Sequence, residues 1–167
     1  MTATHSHANA YARTQTAIYV ADKLGNIMKK LVIDTGLDPT ILIDGWSNWV
    51  YNAARRLMET GHLNSIVIEF FVPGSNTASG RWDFPVRYDG NGIDEVWVDM
   101  DYFRATFGKA PRPPANCTYR VLVVPAPGAP DVGLTFVSFK SLGNLTAREA
   151  GTVIATPDIM ASAVYYK

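Results

Sequence analysis

The apolar positions change period along this chain. From about Tyr11, residues Ala17, Val20, Leu24, Ile27, Met28 and Leu31 recur at helical spacing, which predicts an amphipathic helix ended by "GLDP" at Gly36 to Pro39. Asp38 is placed to cap a second helix, with Pro39 in its first turn, where a missing N–H costs nothing. Leu42, Trp46, Trp49, Val50, Ala53 and Leu57 give that helix one apolar stripe, and Gly61 supplies its stop. Period two then takes over. "SIVIEFFV" (65–72) and "RWDFPVRY" (81–88) predict two antiparallel strands joined by a long loop, with Trp82, Phe84, Val86 and Tyr88 sharing the buried face. Pro85 cannot donate to a ladder, so an edge position or a bulge is expected there. A short strand "EVWV" (95–98) precedes a third helix from about Met100 to Lys109, which "PRPP" ends. "CTYRVLVV" (117–124) is the most β-favourable stretch and is expected as a central strand.

The next segment obeys neither period. "PAPGAPDVGLTFVSFKSLGNL" (125–145) leaves that strand through a Pro/Gly-rich exit, yet carries Leu134, Phe136, Val137, Phe139, Leu142 and Leu145. A merely disordered tail is polar, so this one must bury itself against something. It reads as a detachable cover.

Composition narrows the functions open to such a domain. With 167 residues, 47% of them hydrophobic, the chain fits one α+β domain with a sizeable core. Lys plus Arg and Asp plus Glu number 15 each, so no net field recruits a polyanion or an acidic membrane, and nucleic-acid binding is not expected. The single Cys117 excludes an intramolecular disulfide and, at a strand start, is expected in the core. No signal-peptide pattern or membrane-length run is read, and a soluble cytoplasmic protein is expected. Residues 1–12, polar and small, are expected to form a mobile arm on which His5 and His7 make at most an incomplete metal site. His62, just after a helix-ending glycine, is expected to serve the helix end.

Candidate chemistry is sparse. Asp94, Glu95, Asp99 and Asp101 are dense enough to support a small metal-dependent nuclease or hydrolase, although Asp99 and Asp101 also sit where a helix cap and a first-turn acid belong. No nucleophile elbow, P-loop or dinucleotide fingerprint appears, and no cofactor is expected. A static interaction domain with a permanently packed tail is a third reading.

One family gathers these features in order. The polar arm, long helix, "GLDP", Trp-bearing helix ending in "GHL", "RWDFPVRY", "VDMDYFR", "TYRVLVV", the exit "PGAPDV" and the ending "GTVIATPDIMASAVYY" together resemble a bacterial HORMA-domain protein. The resemblance implies a single domain over 1–167, with three helices on a mainly antiparallel sheet: a mobile arm at 1–12, a core at 13–124, and a hinge and safety belt at 125–167. It implies a non-enzymatic adaptor whose belt closes around a short extended peptide, the closure motif. Leu134, Phe136, Phe139, Leu142 and Leu145 are the belt and peptide-facing candidates. It further implies a cGAS-like nucleotidyltransferase activated by the closed form in anti-phage defence. An AAA+ ATPase would reopen the protein through the N-terminal arm, with Tyr11 and Arg13 as candidate handles.

Overall fold

A computed structural model of the chain describes the backbone at residues 2–89, 97–98, 100–135 and 137–167, and the side chains there except at 2–12, 97 and 100–103. Helix α1 (Thr2–Asp34) is followed by α2 (Thr40–Gly45), a π-helical turn (Trp46–Val50) and α3 (Tyr51–Glu59), which run on as one helical body, and later by α4 (Met100–Phe107). The strands are β1 (Leu63–Phe71), β2 (Gly80–Arg87), β3 (Trp97–Val98), β4 (Thr118–Pro125), β5 (Ala147–Ala155) and β6 (Met160–Tyr166). They form one antiparallel sheet in the order β3-β5-β6-β2-β1-β4. This is the expected α+β class, three helical bodies against a sheet.

The α1 stripe is buried as its spacing predicts: Ala17, Val20, Leu24, Ile27 and Met28 are fully covered and Leu31 nearly so. It packs with Leu57 and Met58 of α3 against Ile66, Ile68 and Phe70 of β1 and Phe84 of β2. Contact is closest at Gly25, where an added Cβ would stand 2.6 Å from Nε1 of Trp46. Helix α1 begins at Thr2, so the stretch expected as an arm is helical backbone. Ala3, Ala8 and Ala10 favour that state, and neither Gly nor Pro interrupts the chain before Gly25.

The turns obey their residue chemistry. Asp38 Oδ1 accepts from the Thr40 hydroxyl (2.7 Å) and the Thr40 N–H (3.0 Å), which hold its carboxyl below the usual value and fix the turn that leads into α2. Gly61 takes a φ of +73° after α3, and the His62 N–H donates to Leu57 O at 2.8 Å, closing the helix end. Cys117 is buried.

Three expectations need correction. Pro85 is in an interior strand, because the β5–β6 hairpin docks on the far side of β2; the β2–β6 pairs at Trp82, Asp83, Val86 and Arg87 skip Phe84 and Pro85, so the proline interrupts a ladder instead of marking an edge. Strand β4 is terminal in the sheet, not central. Trp49, expected in the apolar stripe of the core, is 44% exposed. The last two meet at one place, a channel that runs beside β4.

Candidate functional site

Among the described residues β4 pairs with β1 alone, in a register that sets Glu69 opposite Arg120 and Ile68 opposite Val121. Its other edge keeps half of its peptide groups directed outward. Alternation places Tyr119, Val121 and Val123 toward the helices, where they join or pack on the core, and Arg120, Leu122 and Val124 toward the opposite face. On the helix side the free edge is flanked by Trp49 and Ala53. The π-helical turn at Trp46–Val50 inserts an extra residue into the helical register. That shift carries Trp49 out of the buried stripe while Val50 and Ala53 stay covered.

On the opposite side the chain itself forms a strap. After β4 it turns at Ala126–Ala129, with Gly128 at φ +79° and Gly133 at φ +81°, and Val132, Leu134, Val137 and Phe139 then pass beside β4. Strap, strand edge and helix enclose a channel of about 660 Å³ lined by Arg120–Pro125, Trp49, Ala53 and the strap residues.

The strap is fastened by a small set of bonds built on one acid. Glu69, in the middle of β1, is fully buried; it accepts from Arg120 Nε at 3.0 Å and from the strap N–H of Lys140 at 3.1 Å. Arg120 also donates to Ser138 O (2.7 Å), so one buried carboxylate holds strand and strap together. Beyond it, the Ser141 N–H donates to Asn76 O and Ser141 O accepts from the Ala78 N–H, both at 2.8 Å. The Lys140 ammonium donates to Ser75 O at 2.7 Å and lies 4.2 Å from the Phe71 ring centroid. Phe139 and Tyr166 both present their rings to the Arg81 guanidinium, at 4.3 and 5.0 Å. Arg81 grips Asp83 with two hydrogen bonds of 2.7 and 3.1 Å, and the Tyr166 hydroxyl donates to the same carboxylate at 2.8 Å. Burial alone would lower the Arg81 value, but Asp83 outweighs it and the guanidinium is held more firmly protonated. Burial, then the bond to Asp83, pushes the Tyr166 phenol up.

Of the expected belt residues, Leu134 and Phe139 line the channel. Leu142 and Leu145 lie past the Ser141 fastening, joined to each other by a turn in which the Leu145 N–H donates to Leu142 O. Phe136 is outside the described residues, as are Asp94, Glu95 and Asp99; Tyr11 and Asp101 are described as helical backbone alone. Arg13 makes an ion pair of 2.6 Å with Asp158, in the β5–β6 turn, and covers the Tyr88 ring at 5.5 Å. Sequence reasoning missed Trp49, Glu69, Arg120 and Lys140 as site residues, and named Val137 only as part of the cover. The one signal was Glu69, a lone carboxylate inside "SIVIEFFV", which on an alternating strand had to find a partner.

The family model described as Bacterial HORMA domain 2 matches residues 5–167. No curated protein sequence matches the chain. Among solved structures, a chain of the mitotic checkpoint complex is similar with a TM-score of 0.68 at 12% identity, covering 90% of this chain and 97% of that one. A chain of the E. coli MS115-1 HORMA:CdnC:Trip13 complex gives a TM-score of 0.59 at 11% identity, covering 93% and 89%. C. elegans HTP-2 bound to the HIM-3 closure motif gives 0.51 at 12% identity, covering 71% and 67%. Identities this low speak for the fold, whereas the sequence family is carried by the match over residues 5–167: the chain belongs to the bacterial HORMA-domain family.

Proposed function

We propose that this chain is a non-enzymatic, peptide-sensing adaptor whose strap is a safety belt. In this reading a closure-motif segment adds as a strand to the free edge of β4, and the belt fastened through Glu69 and Ser141 blocks its escape. The observation that carries the reading is the channel itself: a strand edge that no other described strand pairs with, roofed by a chain segment that crosses it and is bonded on the far side. HTP-2, with the same fold, is bound to a closure motif, which supports the assignment.

The closed form then binds and activates a cGAS-like nucleotidyltransferase in cytoplasmic anti-phage defence, and an AAA+ ATPase reopens it from the N-terminal end of α1. The E. coli complex of a HORMA protein with CdnC and Trip13 supports both partners. The Arg13–Asp158 pair ties α1 to the β5–β6 hairpin, so that force on α1 is felt by the hairpin at the end of the belt, which fits the reopening step. Among the described residues no helix is long and apolar enough to cross a membrane.

The test is a reconstitution with a cGAS-like nucleotidyltransferase and an AAA+ ATPase from the same genome, tracking labelled nucleotide product. Synthesis should require peptide-loaded protein and fall when the ATPase and ATP are added. Synthesis indifferent to the protein would overturn the signalling role.

A further inference from the structure

The channel has two covered faces, and that sets the chemistry of its guest. A strand paired to β4 projects alternate side chains toward Trp49 and Ala53 on the helix side and toward Val137 and Phe139 on the strap side. A strand with one wet face alternates apolar and polar residues; one covered on both faces reads as a continuous apolar run. Arg120 is the single charged residue among the described lining residues, and its guanidinium is committed to Glu69 and Ser138 O. A charged guest side chain inside the channel therefore meets no counter-charge. Of the six large apolar side chains left exposed among the described residues, Trp49 (44%), Val137 (46%) and Phe139 (45%) line this one channel, a concentration that marks a surface for an apolar partner.

Resting on the peptide-binding reading, we infer that the guest is an extended partner segment of about six consecutive uncharged, mainly apolar residues, matching the lining Arg120–Pro125. Trp49 determines specificity at the helix-facing positions, and Val137 with Phe139 at the strap-facing ones. The shift of Trp49 by the π-helical turn is what gives the channel its second apolar wall.

Selection of the full chain against a displayed random peptide library tests this, with fluorescence anisotropy then measured on the selected peptides. The selected peptides should share an uninterrupted apolar run. Lys or Glu placed at either of two adjacent central positions should weaken binding by on the order of tenfold or more, with similar losses on both faces. Trp49→Ala should relax selection at one parity of positions and Val137→Ser at the other, with melting curves confirming that both variants are folded. Peptides that bind with alternating apolar and charged residues, or variants that alter both parities alike, would overturn the two-faced channel and leave peptide binding standing. Recovery of no peptide would overturn peptide binding itself.

Discussion

Removing the carboxylate of Glu69 should unfasten the strap without unfolding the core. Glu69 is fully buried and serves two donors, the Arg120 guanidinium at 3.0 Å and the Lys140 N–H at 3.1 Å. Glu69→Ala leaves both without that partner. Breaking a fully buried ion pair costs about 3–5 kcal/mol. Arg120 keeps Ser138 O and its side chain is 27% exposed, which moves its share to about 1–2 kcal/mol. The strap amide, left unpaired, adds about 1–2 kcal/mol. The Arg120 share acts between β1 and β4 whether the strap is open or closed, so the opening equilibrium of the strap shifts by the amide's about 1–2 kcal/mol, roughly tenfold. Glu69→Gln retains a carbonyl for the Lys140 N–H and loses only the charge, so about 0.5–1 kcal/mol is expected on the strap. Native-state hydrogen exchange reads this directly: the amides of Lys140 and Ser141 should lose about tenfold in protection in Glu69→Ala and clearly less in Glu69→Gln. Unchanged strap protection in Glu69→Ala, or equal effects of the two substitutions, would refute the fastening role.

Other contacts make their own demands. Gly25→Ala should destabilise by about 1 kcal/mol in urea unfolding, because the clash of its Cβ with the Trp46 ring exceeds the gain in helix propensity, and the sign should reverse in a Trp46→Leu background. Arg13→Ala should cost about 1 kcal/mol and speed exchange in the β5–β6 hairpin, and Arg13→Asp with Asp158→Arg should restore much of the protection. Tyr88 donates to Leu63 O and accepts from the Leu63 N–H, and burial pushes its phenol up to about 12, so the folded state favours the neutral form. That contribution is whole below the unfolded value near 10 and is lost as pH rises from there through 12, about 1–2 kcal/mol after solvent screening, and Tyr88→Phe should flatten this alkaline decline in unfolding free energy. Ser141→Pro removes the N–H bonded to Asn76 O and should raise concentration-dependent light scattering through exposure of β4; a monomeric variant with unchanged exchange at 120–125 would refute the fastening at Ser141.

The parts of the fold that obey one local rule are readable in the residues. The α1 stripe, the Asp38 turn, the Gly61 stop and the alternation through Trp82, Phe84 and Val86 all stand as spaced, since each depends on neighbours within a turn or two. Sequence and structure part where a distant segment decides. Intrinsic strand preference cannot distinguish a central strand from an edge strand that is covered by something else, which is why β4 reads as central. Pro85 points to an edge or a bulge, because nothing local announces that β6 will dock there. An α-helical period assigns Trp49 inward, and the π-helical turn that moves it out has no sequence marker in "WSNWV". At the candidate site, the apolar tail points to a cover, and Leu134 and Phe139 line the channel; the acid that fastens that cover is paired through residues 51 and 71 positions away.

An exposed edge as β-favourable as "TYRVLVV" is a hazard, because its unpaired groups template pairing with any other chain. Proteins commonly blunt such an edge with charge, proline or a bulge. Here the edge residues Val121 to Val124 are left apolar and a separate chain segment is bonded across them, a solution that keeps the strand competent for pairing while restricting access to it. The same arrangement requires the strap to be held by few, separable bonds, since a fully packed strap would close the edge permanently. Glu69 with Lys140, and Ser141 with Asn76 and Ala78, are bonds of that kind, whereas the apolar strap residues Val137 and Phe139 beside them stay half-exposed. In the proposed reading, protection from aggregation and selective capture of a guest strand are thus two consequences of one edge with a fastened cover.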